Sequence, residues 1–191
     1  RFVLSRFGVK RENIIFLNDK SRGYFLDLTL HAQFAELSSC LVHVIKEEIP
    51  HVSCFISLSL EGGHPDHDIV ALQTERLGKL FQAKTIYFPA YMASTSKYIP
   101  VNVLEPDITI RHLYSTFNIS RLDWLYSIVI LFCYPMEIPA ALKLLPFLIL
   151  AIIKRQPLYY CFSLDHSSYQ NIPKLSTTHY NVPIKLSDYL C

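Results

Sequence analysis

Glycine is scarce in this chain. The 191 residues hold five, at Gly8, Gly23, Gly62, Gly63 and Gly78, so positions 79–191 contain none. Glycine serves turns with positive φ and close approach of backbone to a ligand. The rear half therefore lacks the means for a glycine-built ligand loop, and a site is expected in the front half. Charge is sparse and balanced. Charged residues make up 18%, and Lys+Arg 18 against Asp+Glu 16 leaves +2, a balance that points away from nucleic acid. Cysteine is limited to Cys40, Cys54, Cys133, Cys161 and Cys191, with no CxxC pair. That excludes a zinc ribbon and gives no disulfide framework, as expected for a reducing, cytoplasmic compartment. No apolar run near the start reads as a secretory signal. The first residue is Arg1 rather than Met, which reads as a piece of a longer chain.

Apolar residues are plentiful at 51%, which excludes a disordered chain. The length suits one α/β domain, or a domain plus a tail. The spacing predicts a helix from Asp27 to Glu48, because Leu30, Phe34, Leu37, Leu41 and Val44 recur at helical steps. Val52, Cys54, Ile56, Leu58 and Leu60 alternate with serines, a strand pattern. A second helix is expected from Asp68 to Phe81, with Ile69, Leu72, Arg76 and Leu80 on one side. Ile14–Leu17 and Thr85–Phe88 read as further strands, and residues 1–8 as a helix end stopped by Gly8. Alternating helices and strands imply an α/β fold with a Rossmann-like, mostly parallel sheet flanked by helices. Sites in such sheets lie beyond the carboxyl ends of the strands.

The rear half reads differently. Val101–Ile110 is mixed strand and loop. Leu122–Ile153 is strongly apolar, but Pro135, Glu137, Pro139, Lys143 and Pro146 cut it into pieces shorter than the about twenty residues of a membrane span. A helical pair, buried or docked on the domain, is the favoured reading, and contact with a membrane surface the less favoured one. Residues 155–191 read as an extended tail. The expected division is an α/β domain over 1–115 and the apolar helical segment with its tail over 116–191.

One segment carries chemistry. Glu61-Gly62-Gly63-His64-Pro65-Asp66-His67-Asp68 lies between an expected strand and an expected helix. His64 and His67 are three apart with carboxylates beside them. Neutral imidazoles bind zinc, and carboxylates ligate or orient a neighbouring imidazole. Two histidines do not complete a catalytic zinc site, which usually has three protein ligands. The plain alternative is a turn whose Asp66 or Asp68 caps the helix.

This string, followed by an apolar-periodic helix, resembles the second signature of the PIG-L/LmbE family of zinc-dependent de-N-acetylases. The likeness extends over residues 3–91: upstream through Val3–Val9 and Ile14–Leu17, and downstream through Thr85–Tyr91. It implies that His67 is a metal ligand, that His64 stabilises an oxyanion or protonates the leaving amine, and that Asp66 holds an imidazole. The metal is expected to be zinc, or another divalent ion. The family's first signature, His-Pro-Asp-Asp, supplies the other ligands and the general base and would precede Arg1. The implied activity is hydrolysis of an N-acetylated, amino-sugar-like small molecule, with this chain carrying the second half of the site. The competing readings are a non-catalytic scaffold or binding protein that keeps the fold, and a membrane-surface protein.

Other candidates are weaker. Cys40 and His43 share a helix face but read as core packing. His31 reads as a solvated residue of the same helix. Cys161 and His166 lack a third partner. Asp19, at an expected strand end, is a candidate pocket residue. Asn118-Ile119-Ser120 is a glycosylation triplet of a kind common by chance.

Overall fold

The computed structural model describes residues 8–20, 25, 29–61, 65–93, 101–132 and 138–163. Among these, the front half is a strand–helix–strand unit. Strand β1, Cys54–Leu58, leads into helix α2, Pro65–Phe81, which returns to strand β2, Lys84–Phe88. The two strands are parallel, with Cys54 opposite Lys84 and Leu58 opposite Phe88. The pairing runs on at both ends, because Lys84 N–H donates to the Ser53 carbonyl at 3.1 Å and Ser59 N–H to the Phe88 carbonyl at 2.9 Å. A parallel pair requires a crossover, and α2 is that crossover. Helix α1, Phe34–Glu48, precedes the unit. The architecture is α/β.

Helix α1 starts later than its periodicity predicts. Residues 30–33 form a turn instead, with Ala32 and Gln33 N–H bonded to Thr29 and Leu30 carbonyls. The expected apolar face is kept: Leu37 and Val44 are buried, and Leu30, Phe34 and Leu41 pack on the core. Ile14–Leu17 is not a strand. Residues 14–16 are irregular and Leu17–Lys20 is one helical turn, since a four-residue apolar run alone does not separate strand from buried helix. Of the expected helix over residues 1–8, residues 1–7 lie outside the described ones. In α2, burial follows Ile69, Leu72, Gln73 and Leu77, whereas Arg76 and Leu80 are exposed.

The burial along β1 departs from its apolar pattern at Ile56, although Leu60 just beyond the strand is in the core. Ile56 is 69% exposed, whereas Ser57 and Ser59 are buried. Phe55, Ser57 and Ser59 share a face, and Phe55 meets Phe81 at the end of α2 with ring centroids 6.2 Å apart. The serine side therefore faces the crossover helix. Small side chains there let the helix come close. Gly78 does the same from the helix: a Cβ on it would lie 2.5 Å from Thr85 Cγ2 on β2 and 3.3 Å from the Ala83 carbonyl oxygen.

The rest of the fold is antiparallel. Strands β3, Tyr91–Ala93, and β4, Val101–Val103, form one pair. Strands β5, Ser115–Phe117, and β6, Leu158–Tyr160, form another. The second pair joins β2 through reciprocal bonds between Tyr87 and Cys161, at 2.8 and 2.9 Å. What reads as tail thus begins with a strand bridged to the front unit. Between β5 and β6 run helices α3, Arg121–Phe132, and α4, Ile138–Lys154. This is the expected helical pair, although Pro146 lies inside α4 and does not end it. No helix among the described residues is long and apolar enough to cross a membrane. Ser120 and Asp123 cap α3 reciprocally: Asp123 N–H donates to Ser120 Oγ at 3.2 Å and Ser120 N–H to Asp123 Oδ2 at 3.1 Å. The triplet's Ser120 is thus a helix cap. Trp124, Leu148 and Ala151 form a second core cluster, apart from the one around Ile69, Leu72 and Tyr87.

The glycine shortage shows at the helix ends. Helices α2 and α4 both finish in a six-to-one closure, with Ala83 N–H on the Gly78 carbonyl at 3.0 Å and Gln156 N–H on the Ala151 carbonyl at 2.9 Å. The left-handed position this motif needs is usually glycine. Here Gln82 and Arg155 fill it, each at φ 51°.

Two stability outcomes follow. The left-handed region costs an L-residue about 1–2 kcal/mol, and glycine returns roughly 0.5–1 of that as backbone entropy. Gln82→Gly and Arg155→Gly are each expected to stabilise the protein by about 0.5–1 kcal/mol in urea unfolding; a loss of stability in both would refute the strain. Gly78→Ala is expected to cost about 1–3 kcal/mol through overpacking. Adding Thr85→Ser, which deletes Cγ2, should recover most of that, and a neutral Gly78→Ala would show that helix and sheet are not in close contact.

Candidate functional site

The site is built where β1 ends and α2 begins. Glu61 follows Leu60 just beyond the strand and is 0% exposed. A buried carboxylate needs hydrogen bonds, and Glu61 has them from two directions. Its Oε1 accepts the backbone N–H of Ala90, just past β2. Its Oε2 lies 2.8 Å from Nδ1 of His67, in the first turn of α2. The backbone N–H of Glu61 donates to Asp68 Oδ1 at 2.7 Å. Both ends of the Glu61–Asp68 segment are thereby tied together, and the tie includes the exit of the neighbouring strand. Pro65 opens α2, where its fixed φ suits a helix start.

His67 is the more open partner, with 23% of its side chain exposed. A carboxylate that takes Nδ1–H assigns the neutral ring to the tautomer with its lone pair on Nε2. This is the arrangement in which a carboxylate orients a metal-binding histidine. It equally suits an imidazole positioned for proton transfer.

The expected site residues separate at this point. His67 and Asp66 sit side by side in the first turn of α2. His64 lies outside the described residues, together with Gly62 and Gly63. Asp66 is 7% exposed, and its Oδ1 accepts the Leu30 N–H at 3.2 Å, tying the start of α2 to the turn before α1. The carboxylate that meets the His67 imidazole is Glu61, which pattern reading assigns no role. The available signal is a charged residue directly after a buried strand, where burial demands a partner.

The weaker candidates change as well. Cys40 is half-buried on α1, and burial, helped by the Glu36 carboxylate, pushes its thiol up. His43 is exposed, so it is not core packing. His31 is half-buried in the turn before α1, not solvated on the helix. Asp19 belongs to the helical turn Leu17–Lys20 rather than to a strand end. Cys161 is buried beside Tyr87, and His166 lies outside the described residues. Among the described residues no group of three or more His, Cys, Asp or Glu could hold a metal ion. No family model, curated protein or solved structure matches the chain.

The Glu61–His67 contact makes a direct prediction. With the imidazole neutral, long-range proton–nitrogen NMR is expected to find the His67 proton on Nδ1. Glu61→Ala should release that preference. It should also cost about 1–3 kcal/mol, because the Ala90 N–H loses its acceptor. An Nε2–H tautomer in the unaltered protein would refute the geometry.

Proposed function

We propose that this chain carries half of a metal-dependent N-deacetylase site of the PIG-L/LmbE type, on a Rossmann-like sheet. The observation that carries the reading is the Glu61–His67 pair at the carboxyl end of β1. It joins the family-like string to a physical arrangement that metal-binding histidines use. The donor set fits zinc in this respect: a ring fixed through Nδ1 offers Nε2 to a borderline-soft cation. Zinc, when bound, supplies Lewis acidity toward an acetyl carbonyl and acidifies a water.

The chain's own residues divide the remaining work. Glu61 holds the ring plane of His67 and its tautomer, and it is itself held by the Ala90 N–H. Asp66 positions the first turn of α2 through Leu30. His64, by the resemblance, stabilises the developing oxyanion and passes a proton to the leaving amine. The further ligands and the base belong to the His-Pro-Asp-Asp segment that the resemblance places upstream. The substrate class is a small N-acetylated molecule, amino-sugar-like by the same resemblance.

The test is amine release from N-acetylglucosamine conjugates by the protein carrying both signatures. His67→Ala is expected to lower kcat/KM by about 100-fold or more and to reduce bound zinc, as loss of a metal ligand should. Unchanged deacetylation by His67→Ala would end the proposal. So would full activity after exhaustive chelation.

A further inference from the structure

We propose that the cavity enclosed by the end of β2, strand β6 and the α3–α4 pair is a binding site for one fatty acyl chain. The cavity measures about 510 Å³, within the range of small-molecule sites. Its wall includes Ile86 and Phe88 of β2, Trp124 of α3, Leu144 and Leu148 of α4, and Leu158 of β6, with Tyr159 and Tyr160 beside the last. None of its lining side chains is charged.

The polar groups of the helical wall are already engaged. Ser127 Oγ donates to the Asp123 carbonyl at 3.0 Å. Trp124 Nε1–H donates to the Gln156 carbonyl at 3.1 Å. Such a wall offers dispersion and apolar burial but little of the hydrogen bonding that a sugar, nucleotide or peptide needs. That chemistry suits an alkyl chain. Phe88 and Phe117 also line the cavity and are 37% and 62% exposed. The cavity is therefore open beside them, so a chain can enter while its polar end stays in water. Ala90 lines the cavity too, and its N–H is the one that holds Glu61. The proposal does not rest on the metal reading.

Trp124 is the only tryptophan in the sequence, so the wall contains its own reporter. Titration of the full chain with cis-parinaric acid, kept below its critical micelle concentration, is expected to saturate at one molecule per chain. Energy transfer from Trp124 should accompany it, and palmitate should displace it. Val103→Phe and Leu144→Phe fill the cavity, and each is expected to weaken binding about tenfold or more, with circular dichroism checking that the variants fold. Phosphatidylcholine vesicles form a second arm. Capture by vesicles without binding of the free acid would overturn the cavity and make the exposed α3–α4 face a bilayer contact. Absence of saturation, saturation without transfer from Trp124, or unchanged affinity in a folded filling variant would each overturn it as well. If neither variant folds, the stoichiometry and the Trp124 transfer decide.

Discussion

A carboxylate with no exposed surface constrains everything around it. Glu61 must find its hydrogen bonds inside the protein, because water does not reach it. It finds one on the backbone leaving β2 and one on the first turn of α2. These contacts fix where β2 ends relative to β1, and which way α2 leaves the loop. Moving any one of the three elements would strand a buried charge or a buried N–H. The geometry of His67 is thus a by-product of satisfying Glu61, and this gives the imidazole a defined direction despite its place on a helix end.

The second constraint is distance between layers. A helix that starts under such a tie must run back along the sheet closely enough to reach β2 within its seventeen residues. Close approach requires small side chains on both surfaces. Ser57 on β1 and Ser59 just beyond it provide them on one side, and Gly78 provides one on α2 against Thr85. This explains an otherwise odd exchange, in which serines are buried and Ile56 faces outward. The separation of the layers outweighs the apolar character of individual positions.

How much of this can be read from residue order depends on the kind of information involved. The parallel unit was legible, because strand, helix and strand each have a distinct periodicity and lie within a short span. Gly62 and Gly63 mark a break between strand and helix in the residue order, with His64 after them and His67 in the first helical turn. The burial face of β1 was not legible: alternation reports that a strand has two faces, not which one meets the helix. Ile14–Leu17 failed for a related reason: a short apolar run does not by itself specify a strand, and here residues 14–16 are irregular with Phe16 exposed. Glu61 was visible as a letter but not as a partner, because its importance lies in a contact with Ala90, twenty-nine positions away.

The scarcity of glycine leaves strained positions along the chain. Without it, helix closures fall on Gln82 and Arg155, and β4 gives way to the next segment through Leu104 at φ 57°. These are strained positions, and strain persists only where surrounding packing over-determines the backbone. At Arg155 that packing is the cluster of Trp124, Leu148 and Ala151, with Leu104 and Leu158 against it. The same cluster brings β6 alongside β5, and Cys161 just beyond β6 bridges to Tyr87. The apolar pair α3–α4 connects the strands of the β5–β6 pair, which meets β2 at the Tyr87–Cys161 bridge. In the residue order, Pro135, Glu137, Pro139, Lys143 and Pro146 interrupt the apolar run and favour a packed helical pair over a membrane contact. In the fold, Trp124, Leu148 and Ala151 turn that apolar character into a core of its own, and Leu158 links this core to the strand beside the Tyr87–Cys161 bridge.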